Sequence, residues 1–243
     1  RLPITLRIFY FIFNPLYFSL ALGRCFRRKI SRLLIAGFSY KHKIDLSRFC
    51  PPSSRNRSNQ KSTYRNFDDF FTRCLKEPLS FFEGAAPCEG KLVYFSRGQK
   101  DQILQIKGET LSIQALVGES IYQTLPDFLG VMIVYLSPRD YHRGASSFTG
   151  TVSETKRIPG LVWTVQPEIW NEPNIAKQHG AHYLTFNTRD VVCKNTSYGQ
   201  QISIYVAATN VFSTELHTQA GAQIRAGQHE QTYHLGSTNV YLF

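Results

Sequence analysis

DVVCKNTSYGQQISIYVAATNV (190–211) is the stretch on which the fold turns. It holds two runs rich in Val, Ile and Tyr, set apart by Thr-Ser-Tyr-Gly. Both read as strands, because β-branched and aromatic side chains suit a pleated, half-buried surface. Outward from it the same pattern recurs. KLVYFSRG (91–98), DQILQIKG (101–108), FLGVMIVYLSP (128–138), TGTVSETKRI (149–158), HYLTFN (182–187) and residues 239–243 are short runs bounded by turn residues. No strict internal repeat appears, and no helices of ten to fifteen residues alternate with the strands, as parallel pairing would need. The expected fold is α+β, with helices gathered at the front and a β-rich, mainly antiparallel core.

The front of the chain differs in kind. Residues 1–100 carry a balance of +13 and residues 101–243 one of −2, so the net +11 belongs to the N-terminal part. LRIFYFIFNPLYFSLAL (6–22) is the most apolar stretch, near the lower limit for a span and broken by Arg7, Asn14 and Pro15. Arg24, Arg27, Arg28, Lys29 and Arg32 follow it, interleaved with Phe26, Ile30, Leu33, Leu34 and Ile35. Apolar residues followed by clustered cations suit helices lying in an anionic membrane interface. Nucleic acid is a poor fit, because the cations accompany a long apolar run and not aromatic stacking platforms. Residues 1–50 are therefore expected to be membrane-associating helices, 51–62 a linker rich in Pro, Ser and Asn, and 63–243 a β-rich domain. TYRNFDDFFTRCLK (63–76) reads as an amphipathic helix with acids in its first turn. The start at Arg1 and the stop at Phe243 read as those of a processed or truncated product. Five Cys with no CxxC pair argue against a disulfide framework or a zinc site, and no metal is expected. GxGxxG, Walker, HExxH and GxSxG sequences are absent, which removes the usual support for nucleotide, zincin and esterase chemistry.

Three places can carry chemistry. Ser-Pro-Arg-Asp-Tyr-His-Arg (137–143) closes an apolar strand and brings Tyr, His and Arg together, a good position for an acid or base. Leu-Gly-Ser-Thr (235–238) puts hydroxyls after a residue that permits close backbone approach. Ala-Pro-Cys-Glu-Gly-Lys (86–91) sets an acid at a tight turn before a strand. Each alone is more often an ordinary turn.

In this order, and with their surroundings, they resemble the phosphatidylserine decarboxylase family. NFDDFFTRCLK (66–76) is similar to its FF-R-L helix and QIKGETLSIQALVG (105–118) to its KG…SL…LG segment. LSPRDYHR (136–143) is similar to its Tyr-His signature, and PGLVWTVQP (159–167) to a PG…V-x-P stretch. FNTRDVV (186–192) resembles an Asn-Glu-Arg strand, VAATNV (206–211) a GATNV sequence, and LGST the self-cleavage site.

The resemblance implies cleavage of the backbone between Gly236 and Ser237. Ser237 would become a covalent pyruvoyl group at the head of a short α chain, and the β chain would end at Gly236. That group would capture the amine of phosphatidylserine and take up the electrons freed as CO₂ leaves, with His142 returning a proton to give phosphatidylethanolamine. Glu89 would stand at the maturation acid. The implied partners are phosphatidylserine, an anionic membrane surface, the two self-cleaved chains and a second copy in a homodimer. The implied location is peripheral on a bacterial or mitochondrial inner membrane, or on endomembrane.

Two departures bear on that chemistry. The family carries Asp where this chain has Glu89, and a second His where it has Ala145. His142, His179, His182, His217 and His234 are the candidates for a substitute base. The alternative is a decarboxylase-like protein that keeps the fold and membrane surface without activity.

Overall fold

The structure, a computed structural model, describes residues 22–52, 63–77, 80–101, 104–106, 109–161, 182–208, 214–234 and 237–243. Most of the apolar run at 6–22, most of the linker, residues 162–181 with His179, residues 209–213, and Gly236 lie outside them.

The strands in chain order are β1 (Phe49–Cys50), β2 (Cys74–Leu75), β3 (Lys91–Gln99), β4 (Leu104–Ile106), β5 (Glu109–Leu111), β6 (Phe128–Leu136), β7 (Arg143–Ala145), β8 (Gly150–Ile158), β9 (Arg189–Thr196), β10 (Gly199–Ala207), β11 (Thr214–Leu216), β12 (Gln223–Ile224), β13 (His229–Tyr233) and β14 (Ser237–Leu242). Seven form the main sheet in the order β12-β8-β9-β10-β14-β6-β3, and β11-β13-β7 form a second, smaller sheet. Among the described residues every pair of strands is antiparallel, as the run lengths and turns predict. The opening stretch is the β9–β10 hairpin, turning at Thr196–Gly199.

The two faces of the main sheet bury different things. One packs Ile133, Val191, Ile202, Ile204, Val240 and Leu242 against Ile113, Leu116 and Ile121 from two short helices. The other packs Val134, Leu136, Val192, Tyr205 and Tyr241 against the small sheet, which contributes Tyr233. A third cluster joins Ile35 and Phe49 to Phe67, Phe70 and Phe71. The alternation along β14 sorts these faces, since successive side chains point to opposite sides.

Two expectations need correction. HYLTFN was expected as a strand; Tyr183–Phe186 is a helical turn, closed by Phe186 N–H to His182 O at 2.9 Å and Asn187 N–H to Tyr183 O at 3.0 Å. The cause is tertiary. The Arg189 guanidinium reaches back to the Thr185 and Asn187 carbonyls at 2.7 and 2.9 Å, and also binds Ala115 and Leu116 carbonyls at 2.5 and 2.6 Å. One buried cation thus satisfies the carbonyl ends of two short helices. The helix expected over 63–76 is confined to Phe67–Phe71, capped by the Asn66 side chain on Asp69 N–H at 2.8 Å. After it the chain turns into β2, which pairs with β1.

Candidate active site

The ends of β6 and β13 and the beginnings of β7 and β14 meet at one place. Ser237 opens β14 and is paired on one side with Leu136 of β6 and on the other with Ala207 of β10. Ser137 follows Leu136, and its carbonyl accepts the Nε2–H of His142 at 3.0 Å. The His142 carbonyl in turn accepts the Tyr233 N–H, at 3.0 Å, from the last residue of β13. The topology therefore brings the Tyr-His loop close to the strand that opens at Ser237, although the two are far apart in sequence.

His142 is 1% exposed, and its ring lies 4.2 Å from that of Phe71. With Nε2–H given to Ser137, the neutral ring carries its lone pair on Nδ1, an atom that is buried and without a hydrogen-bond partner. Burial, helped by the nearby Arg73 cation, pushes the imidazole down to about 3. It is neutral at physiological pH.

Arg73 shapes this loop. It is fully buried, stacks on Phe49 and Phe70, and donates from Nη2 to the carbonyls of Pro138, Arg139 and Asp140 at 3.2, 3.0 and 2.6 Å. Asp140 closes the same turn by accepting from Ser137 N–H and Oγ–H, both at 2.7 Å. The sequence marks Arg73 as part of a resemblance; its structural partners could be found only in three dimensions.

Glu89 also arrives here. Its carboxylate takes two hydrogen bonds from Arg48, at 3.2 and 3.4 Å, and one from the Tyr141 N–H at 3.2 Å. It therefore grips the backbone one residue before His142. Ala145, where the resemblance wants an imidazole, is a buried residue of β7 paired with His229 of β13.

The first residues of β14 are firmly held. Tyr183 Oη lies 3.1 Å from Thr238 Oγ1, Tyr233 donates to Asn239 Oδ1 at 2.6 Å, and Asn239 donates to Tyr241 at 2.8 Å. Asn187 donates to the carbonyl of Ala207, the cross-strand partner of Ser237, at 2.7 Å. Tyr183 and Tyr233 were not singled out from the sequence; tyrosines are too frequent in this chain for spacing to find them.

These residues fit a pyruvoyl group made from Ser237. Such a group needs a fixed strand end with a proton-handling residue close to it, and here the strand is paired on both sides and His142 is held by Ser137, the residue after the cross-strand partner of Ser237. Among the described residues no cluster suited to a metal ion is found.

Antiparallel sheets that bring a buried histidine up to a strand opening on a serine define an α+β protein with an enzyme-like site. A profile of the phosphatidylserine decarboxylase family matches residues 67–243, and the chain belongs to that family. Among its relatives is a protein of Stenotrophomonas maltophilia called phosphatidylserine decarboxylase proenzyme, 30% identical, with the match covering 77% of this chain and 64% of the relative. Proteins of the same name from Acinetobacter baylyi and Yersinia pestis are each 29% identical over 88% of this chain, covering 76% and 78% of their own lengths.

Proposed function

We propose that the chain is a phosphatidylserine decarboxylase that cleaves itself between Gly236 and Ser237 and then converts phosphatidylserine to phosphatidylethanolamine and CO₂. The observation that carries this reading is buried His142, its Nδ1 without a partner and its Nε2 held by Ser137, next in the chain to Leu136, the cross-strand partner of Ser237. When formed from Ser237, a pyruvoyl group supplies the ketone that draws off the electron pair released as CO₂ leaves.

The chain's own groups handle the protons. His142 Nδ1 is the atom that returns a proton to the substrate carbon after CO₂ leaves. A ring held down to about 3 is a strong acid once protonated, which suits that return. The ring's burial keeps water from intercepting the proton. Glu89 acts as a positioning residue, holding Tyr141 and hence His142 while Arg48 holds it.

Residues 1–50 are proposed to rest on the anionic membrane that contains the substrate. The exposed Ile30, Leu33 and Leu34 beside Arg28, Lys29 and Arg32 support this. No described helix is long and apolar enough to cross a membrane.

Intact-mass analysis of the purified chain tests the reading. We expect a fragment ending at Gly236 and another beginning at position 237, with Ser237→Ala abolishing both cleavage and CO₂ release. His142→Ala should stop CO₂ release while the fragments still form. An unbroken wild-type chain would overturn the proposal. It would favour a second reading, for which Ala145 speaks: a decarboxylase-like protein that keeps the fold and membrane surface without maturing.

A further inference from the structure

Residues 71–73 grip the Tyr-His loop on both sides of His142. Before it, Arg73 Nη2 donates to the carbonyls of Pro138, Arg139 and Asp140. At it, the Phe71 ring lies 4.2 Å from the imidazole. After it, Arg143 Nη2 donates to the Thr72 carbonyl at 2.6 Å. Phe49 joins the two segments, since its ring stacks on Tyr141 at 6.3 Å and lies 4.6 Å from the Arg73 guanidinium carbon.

Arg73 is a costly choice for such a fastener. It is 0% exposed, yet only Nη2 of its three nitrogens is used; Nε and Nη1 are buried without a hydrogen-bond partner. Among the described residues no carboxylate is paired with it. Glu89 is taken by Arg48 and the Tyr141 N–H, and Asp140 by Ser137 and Arg139. Burial pulls the guanidinium down to about 10, which leaves it charged at physiological pH. A buried cation without a counter-ion detracts from stability. Local rules broken at such expense are expected where function needs them. The other charges around the loop are engaged elsewhere, Arg143 with Thr72 and His229, so Arg73 is the cation that bears on the imidazole.

We propose that Arg73 is a positioning residue for decarboxylation, holding the 138–140 turn so that His142 stands fixed for its proton return. This role rests on the reading of the chain as a self-cleaving decarboxylase. Arg73 acts through two properties of one group. Its hydrogen bonds set where the loop lies, and its charge keeps the imidazole neutral at rest.

Decarboxylation kinetics test this, counted per cleaved chain, with cleavage read separately by intact mass. Arg73→Gln, neutral but still able to donate, should lower kcat by ~10-fold or more and leave KM within ~2-fold, because a displaced acid costs rate and not substrate binding. Arg73→Lys keeps the charge, guards against misfolding of the glutamine variant, and should recover part of the loss. A second readout needs no activity: the NMR signal of the His142 ring in uncleaved Ser237→Ala protein. The ring should stay neutral down to about pH 5 in that parent and with Arg73→Lys, and take up its proton at higher pH with Arg73→Gln. A side chain that served stability alone would move neither kcat per cleaved chain nor this titration. Wild-type kcat in both variants, or a His142 signal that titrates in Arg73→Gln as in the parent, would overturn the role of Arg73 alone. A wild-type chain that never cleaves would overturn it together with the reading beneath it.

Discussion

His142 is buried where a histidine is costly. The unfolded chain binds its proton near the ordinary value of about 6.5, whereas the folded chain resists until about 3. Between those values the unfolded state holds more protons, so this residue removes stability as pH falls through that window. The loss approaches ~1.4 kcal/mol per pH unit. Urea unfolding at pH 7.5 and 5.5 should therefore show ~1.4 kcal/mol less acid sensitivity in His142→Phe than in the wild type. An equal sensitivity would mean that the ring is not buried as described. The Tyr-His signature points to His142 as a functional residue without any structure. Its tautomer and its acidity follow from Ser137, Phe71 and Arg73, which only the fold brings to it.

Between elements, the small sheet is fastened to the large one by a buried charge. Lys194 of β9 lies 2.7 Å from Glu230 Oε2 of β13, with Ser146 and Ser203 hydroxyls at 3.2 and 3.1 Å, and Tyr205 donates to Glu230 Oε1 at 2.8 Å. Lys194 and Glu230 side chains are 1% and 0% exposed. This pair positions β13, and hence Tyr233 at its end, whose N–H holds the His142 carbonyl. Glu230→Gln should cost ~3–5 kcal/mol, because it strands a buried ammonium. Lys194→Met with Glu230→Leu should cost much less than the two single changes together; additivity in thermal unfolding would refute the coupling. In sequence, Lys194 interrupts the run DVVCKN and looks like a solvent-facing position. Its burial arises because the second sheet covers that face. The same lesson holds for HYLTFN, whose strand-like composition loses to the Arg189 contacts.

For the whole molecule, the charge asymmetry between the two parts of the chain becomes a surface. Ile30 and Leu33 are 71% and 78% exposed beside Arg28, Lys29 and Arg32. At ~1 kcal/mol per cation near an anionic membrane, changing those three cations to Gln should weaken binding to phosphatidylserine-containing vesicles by ~100-fold. Co-sedimentation with charged and neutral vesicles measures this. Binding indifferent to lipid charge would remove the membrane reading while leaving the active site untouched.

The sequence by itself determined the antiparallel, strand-rich core, the family, and Glu89, His142, Gly236 and Ser237 as the residues to watch. Those follow from local pattern and from motifs that keep their order along the chain. Tertiary structure decided what surrounds them: which face of each strand is covered, which nitrogen of His142 is left without a partner, and that Asp68 meets His234. Such pairings depend on chain segments far apart in sequence, and spacing along one chain contains no record of them until the sheets close.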